Sequence, residues 1–284
     1  MDRKHFPGLS VAAFQASTDR AALEALQHVP LLPLVIQKYH ELLIDRYMYA
    51  LNMANSVRCG PRQMATVYAI MVECCKILDV PEPELYVTNN PFPNAFAGGV
   101  ERPYITLRNS VIECMTDEQL YHLVGHELGH IKAGHVLYKS VAGILIPLLQ
   151  MLGHYTLGVG DLVGIGLALA FYEWSRQAEL TCDRAGLLCT QAFRVSADAE
   201  LRLTGGNTRH VEELNTDAFL DQARTYQDMN LMDSLGKFLV FYLYGMASTH
   251  PMPVMRLQDL ERWYQGGDFD KIMRGDYAGA PATV

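Results

Sequence analysis

His126, Glu127 and His130 stand in the run Gly-His-Glu-Leu-Gly-His at 125–130. On a helix, residues four apart share a face, so His126 and His130 can bind one zinc ion while Glu127 reaches a water on that metal. The chemistry implied is hydrolysis by a metal-activated water, with a peptide bond as the expected target. A catalytic zinc usually takes three protein ligands and keeps one position open, so a third donor must come from elsewhere in the chain. The segment 177–186 offers Glu179 and Asp183 one helical turn apart. Two acids at that spacing are ordinarily a solvated face. Beside HExxH, the same spacing lets Glu179 bind the metal while Asp183 orients a ligand histidine from behind.

These side chains need helices to hold them. Thr116 with Gln119 three residues later makes a capping box, and Asp117 and Glu118 suit the positive end of a helix dipole, so the helix carrying the histidines should begin there. Leu120, Leu123, Val124, Leu128 and Ile131 form one apolar stripe with His126 and His130 at its edge, which puts the metal at the rim of a core. Gly125, Gly129 and Ala133 repeat at four-residue spacing and would let a neighbouring helix approach closely. Upstream, 85–88 and 104–107 have the β-branched and aromatic content of strands, with turn residues around a short strand at Asn94, Ala95, Phe96 and Ala97. A small antiparallel sheet should therefore lie beside the helix.

Residues 19–57 carry apolar positions at helical spacing, broken near Pro30 and Pro33, and 64–78 continue as a helix with Pro61 in its first turn. The stretch 141–171 is nearly uncharged but is interrupted by Pro147, Gly153, Gly158, Gly160 and Asp161. Its pieces fall short of the ~20 residues of a membrane-spanning helix. It reads as two buried helices, followed by a long helix through Glu173, Arg176 and Glu179 to Cys189. Helical periodicity returns at 193–203, 217–232, 235–246 and 253–264, and the tail from Gly266 reads as loose. The expected organisation is a mainly α (α+β) fold with a helical N-terminal extension at 1–60, a catalytic domain at 61–265 and a C-terminal tail at 266–284.

Half of the 284 residues are hydrophobic and the formal net charge is −8, with no Lys/Arg run. That composition fits a globular enzyme body and argues against nucleic acid or an anionic membrane surface as a partner. The six cysteines (59, 74, 75, 114, 182, 189) form no CxxC pair, as expected in a reducing cytoplasm, and the N-terminus shows no signal peptide. Other histidines take quieter roles. His122 shares a face with the pair, but eight residues of helix rise ~12 Å, too far for ligands ~2 Å from one metal. His135 should point away from the pair to the surface or a cap, and His154 should be a buried or loop residue. No spacing singles out Tyr121, Tyr138, Tyr155 or Tyr172 as an oxyanion donor.

The combination of HExxH and ExxxD resembles the HtpX-like and type I CAAX prenyl protease superfamily of zinc metallopeptidases, of the gluzincin type. Asn94-Ala95-Phe96-Ala97 resembles the family's edge strand, 116–120 its lead-in to the HExxH helix, and Ser248-Thr249-His250-Pro251 with Arg256 its late HP…R element. The resemblance covers roughly 61–262. It implies a helical zincin with one Zn2+ per chain held by His126, His130 and Glu179. Glu127 would be the general base, and Asp183 would hydrogen-bond the ring nitrogen of His126 that faces away from the metal. Asn94, Ala95, Phe96 and Ala97 would pair with an extended polypeptide substrate. His250 would either stabilise the transition state or occupy the open metal position in a latent form, and Arg256 would support its loop.

The short separation between His130 and Glu179 departs from the membrane-embedded relatives and implies a soluble, bacterial-type member, peripheral to a membrane at most. Cys182 stands where those relatives have a small residue, and reads as a small buried thiol. The expected function is a zinc endopeptidase acting in protein quality control. The alternatives are a zinc-bearing but proteolytically silent scaffold, and an integral membrane protease with 141–171 inserted. Nothing in the sequence sets an oligomeric state.

Overall fold

The computed structural model describes residues 3–27, 32–139, 159–205, 209–228 and 252–277. The apolar stretch at 141–158, the expected helix at 235–246 and His250 lie outside the described residues. Helices α1 (Ser17–Gln27), α2 (Leu32–Tyr39) and α3 (Asp45–Asn55) come first, with a π-helical turn at His40–Ile44 between α2 and α3. Strand β1 (Val57–Arg58) and helix α4 (Ala65–Leu78) follow, then β2 (Glu84–Thr88), β3 (Ala95–Gly98), β4 (Tyr104–Arg108) and a short α5 (Asn109–Cys114). Next come the long helices α6 (Asp117–Lys132) and α7 (Val159–Thr190). The described chain ends with α8 (Phe193–Gly205), α9 (Thr216–Gln227), α10 (Pro253–Gln265) and α11 (Asp268–Arg274).

The fold is mainly helical with one small sheet, as the sequence implies, but the sheet is mixed. Its order is β1-β2-β4-β3, with β2 and β4 parallel and the other two pairs antiparallel. The reason is the insertion of β3 between the two strands in sequence. After the β3 hairpin, β4 runs back in the direction of β2 and pairs with it, leaving β3 as the edge strand. Pro61 lies in the turn that closes between Gly60 and Gln63, ahead of α4 and not inside its first turn.

Helix α6 starts where its cap says it should. The Thr116 side chain accepts from the Gln119 backbone, and the Gln119 side chain accepts from the Thr116 backbone. Leu120, Leu123, Val124 and Leu128 are buried in the main core, and Ile131 packs at its margin. The glycine face meets α7. A Cβ on Gly125 would lie 2.7 Å from Cys189 Sγ, one on Gly129 2.9 Å from Ala185 Cβ, and one on Gly186 2.8 Å from the His122 carbonyl oxygen. Real side chains do not approach that closely, so the two backbones lie nearer than a pair of larger residues would allow. This close approach brings the histidines of α6 within hydrogen-bond range of the carboxylates of α7.

Two further expectations are corrected. Residues 159–171 belong to the same continuous helix as Glu179, because no proline or helix break follows Asp161. No helix among the described residues is long and apolar enough to cross a membrane. The tail is ordered beyond Gly266: Gly267 adopts the left-handed region (φ 85°), and α11 buries Phe269 and Ile272 in the main core, with Phe269 edge-on to Trp263. At the other end, Phe6, Leu9 and Phe14 enter the same core. The first helices are bound to the rest through buried acids. Asp45 accepts from His40 Nδ1 (2.9 Å) and from the backbone of Val100 and Glu101 (2.9 and 2.8 Å), which fixes the turn before β4.

Candidate metal centre

Four side chains from α6 and α7 meet at the rim of the core. His126 Nε2 lies 3.3 Å from Glu179 Oε2, and His130 Nε2 lies 3.3 Å from Glu179 Oε1. The other nitrogen of His126 is engaged from behind by Asp183, with Nδ1 2.8 Å from Oδ1. A carboxylate there accepts the Nδ1 proton, so that Nε2, which faces Glu179, is the nitrogen that would be offered to a metal. His126, His130, Glu179 and Asp183 are all buried, as is Glu127. Glu127 and His126 line a cleft of about 340 Å³ together with Asn94, just before β3, and Ala95, its first residue. Phe96 and Ala97 are on the edge strand but do not line that cleft.

The electrostatics suit a cation between the rings. Burial alone would push His126 down, yet Asp183 and Glu179 outweigh it and lift the ring to about 10. Burial and the Lys139 ammonium push His130 well below its ordinary value. Lys139 itself bridges the ligand atoms, with Nζ 3.1 Å from His130 Nε2 and 2.8 Å from Glu179 Oε1. Burial disfavours its charge, but Glu179 outweighs that and raises it. Two imidazole nitrogens and a carboxylate are N and O donors suited to a divalent metal, and the Lys139 ammonium that now contacts two of them would have to give way for a metal to bind there.

Cys182 also comes close. Together with His126 and His130 it places one donor atom per residue within 4.8 Å. Its sulfur, however, lies 3.1 Å from His130 Nδ1, on the other side of the ring from Nε2. One metal cannot use both sides of that ring, and burial keeps the thiol protonated by raising it well above its ordinary value. The Glu179 carboxylate, by contrast, lies 3.3 Å from both Nε2 atoms.

Behind the site lies an ion network that the sequence did not announce. Arg256 on α10 donates to both oxygens of Asp183, with Nε 2.8 Å from Oδ2, and to Glu200 Oε1 on α8 at 2.9 Å. His122 Nε2 lies 3.1 Å from the same Glu200 oxygen. Burial alone would raise the Asp183 carboxyl, but Arg256 and then His126 hold it well below the usual carboxylate range. His122 is thus a partner of Glu200, and Arg256 supports Asp183 directly where the sequence suggested support of a loop. Although His122, Asp183 and Glu200 also cluster, the guanidinium already supplies their positive charge. Arg256→Ala leaves two buried carboxylates without their cation and is expected to cost about 3–5 kcal/mol, read as a lower urea midpoint.

The family model described as Peptidase family M48 matches residues 61–264, well over half of the chain. The chain belongs to peptidase family M48. Among M48 relatives, the plastoglobule-localized metallopeptidase 48 of Arabidopsis thaliana chloroplasts is 33% identical over 82% of this chain and 66% of that protein. A Protease HtpX homolog of Caldanaerobacter subterraneus subsp. tengcongensis is 30% identical over 36% of this chain and 35% of its own length. The chain thus spans just under two thirds of the first M48 relative and about a third of the second. No solved structure matches it.

Within this M48 chain, the expectation for His135 is overturned. It is fully buried, and its Nδ1 lies 3.1 Å from His130 Nδ1. A straight helix would carry it to the far side, but α6 ends at Lys132 and Gly134, at φ 69°, turns the chain back. Residues 135–139 are helical again and return both His135 and Lys139 to the site. The glycine after a helix was the available signal. Tyr138 packs edge-on to Trp174 and Tyr121 stacks under Arg3, so neither phenol stands out as an oxyanion donor.

Proposed function

We propose that the chain is a zinc-dependent endopeptidase in which His126, His130 and Glu179 hold one Zn2+ and Glu127 is the general base. The observation that carries this reading is the convergence of both Nε2 atoms on the Glu179 carboxylate, each at 3.3 Å, in a chain of a peptidase family. When bound, zinc would supply a Lewis acid for the scissile carbonyl and a water acidic enough to react at neutral pH. Glu127 faces the cleft beside His126, takes a proton from the attacking water and delivers it to the leaving amine. Asp183 holds the Nδ1 proton of His126 and so keeps Nε2 available throughout. The edge of the sheet at β3 pairs with an extended polypeptide through backbone hydrogen bonds, which recognises shape more than sequence.

Such tolerance suits unfolded chains, and clearance of damaged protein is the role we assign. Six cysteines, all free and all buried, favour a reducing compartment such as the cytoplasm. Digestion of unfolded casein tests the reading. Activity should disappear after a zinc chelator and return with about one equivalent of Zn2+. Persistence of cleavage in the metal-free chain would show that another group does the chemistry.

A further inference from the structure

The metal-side geometry of His130 depends on its other nitrogen, and that nitrogen faces no carboxylate directly. His130 Nδ1 lies 3.1 Å from His135 Nδ1, and His135 Nε2 lies 3.1 Å from Asp19 Oδ2 on α1. If Nε2 of His130 binds metal, its Nδ1 carries the proton and donates it to His135 Nδ1. His135 must then carry its own proton on Nε2, which is the one that Asp19 accepts. A single assignment of protons satisfies every contact in the chain of three residues. The competing acceptor is the Cys182 sulfur, also 3.1 Å from His130 Nδ1, but a thiol accepts more weakly than an imidazole nitrogen.

We propose that Asp19 and His135 are positioning residues that orient His130 toward the metal, so that the N-terminal helix completes the centre. The proposal rests on the reading of His130 as a ligand.

The surroundings are built for this. Asp19 and His135 are both fully buried. Asp19 receives further hydrogen bonds from Thr181 Oγ1 at 2.7 Å and Trp174 Nε1 at 3.2 Å, both on α7. The Trp174 ring packs edge-on to His135, with centroids 5.6 Å apart. Thr181 in turn accepts from the backbone of Ala16 at 3.1 Å, which fixes the start of α1 against the metal-bearing helix. His126 is held by Asp183 from within α7, whereas His130 is held through His135 by an acid 116 residues before His135. The two ligand histidines thus have separate supports, and only one of them is contained in the stretch from α6 to α7.

The test is zinc affinity by chelator competition, with the visible spectrum of the Co2+-substituted full chain as the report on ligand geometry. His135→Leu should weaken zinc ~10–100-fold and shift the Co2+ bands. His135→Asn, which keeps an acceptor near the Nδ1 position, should recover most of both. Asp19→Asn should weaken binding in the same direction by ~10-fold. A folded His135→Leu chain with wild-type affinity and an unchanged Co2+ spectrum would overturn the proposal. Where His135→Leu does not fold, wild-type affinity in Asp19→Asn overturns it instead. His130→Ala separates the two claims: if it loses zinc while His135→Leu does not, the ligand assignment stands and the positioning role falls. If it keeps zinc, both fall.

Discussion

Glu127→Gln is expected to lower casein cleavage by about 10²–10⁴-fold, the usual share of a general base, while zinc content stays at the wild-type level. The substitution changes one oxygen for an amide and leaves the shape of the side chain nearly intact. An amide cannot take a proton from water at neutral pH, so the attacking water keeps its proton and the leaving amine receives none. Glu127 is buried at the cleft, and glutamine keeps its size and shape there, so metal retention should be little changed. The pair of readings separates an enzyme from a metal-bearing scaffold. A scaffold would show no wild-type cleavage for the substitution to remove.

Glu179→Ala and Asp183→Asn should differ in kind. Glu179 faces Nε2 of both His126 and His130 with its two oxygens, so on the proposed ligand set truncation removes one of three donors and zinc should be absent from the purified chain. Asp183 touches only the far nitrogen of His126, and Asn can still accept a hydrogen bond there. Its replacement should weaken zinc by about 10–100-fold, and should also loosen the hold on Arg256, which donates to both carboxylate oxygens. Competition with a chelator of known affinity measures both variants, and circular dichroism establishes that they are folded. Equal and complete loss in the two variants would mean that the roles of these acids are misassigned.

The parts of the site that were legible beforehand are those written within one helix. HExxH, the Thr116–Gln119 box and the apolar stripe are spacings of three and four, which a helix turns directly into geometry. The glycine face of α6 likewise announced a close neighbour, and the acid pair 179/183 named the helix that fills that place. What was not legible depends on tertiary approach. Glu200 reaches His122 across 78 residues and Asp19 reaches His135 across 116, and no local pattern distinguishes either acid from a surface one. His135 was misplaced for a different reason: a wheel extrapolated through Gly134 assumes that the helix continues, whereas the left-handed residue ends it. The parallel pairing of β2 with β4 was hidden in the same way, since strand content says nothing of the order in which strands align.

The central claim is the identity of the three donors, and anomalous scattering at the zinc edge from crystals of the metal-loaded chain tests it most directly. The account predicts one peak per chain, roughly 2.0–2.2 Å from His126 Nε2, His130 Nε2 and a Glu179 oxygen. A chain without a peak, or a peak bound to Cys182 or lying among His122, Asp183 and Glu200, would contradict it.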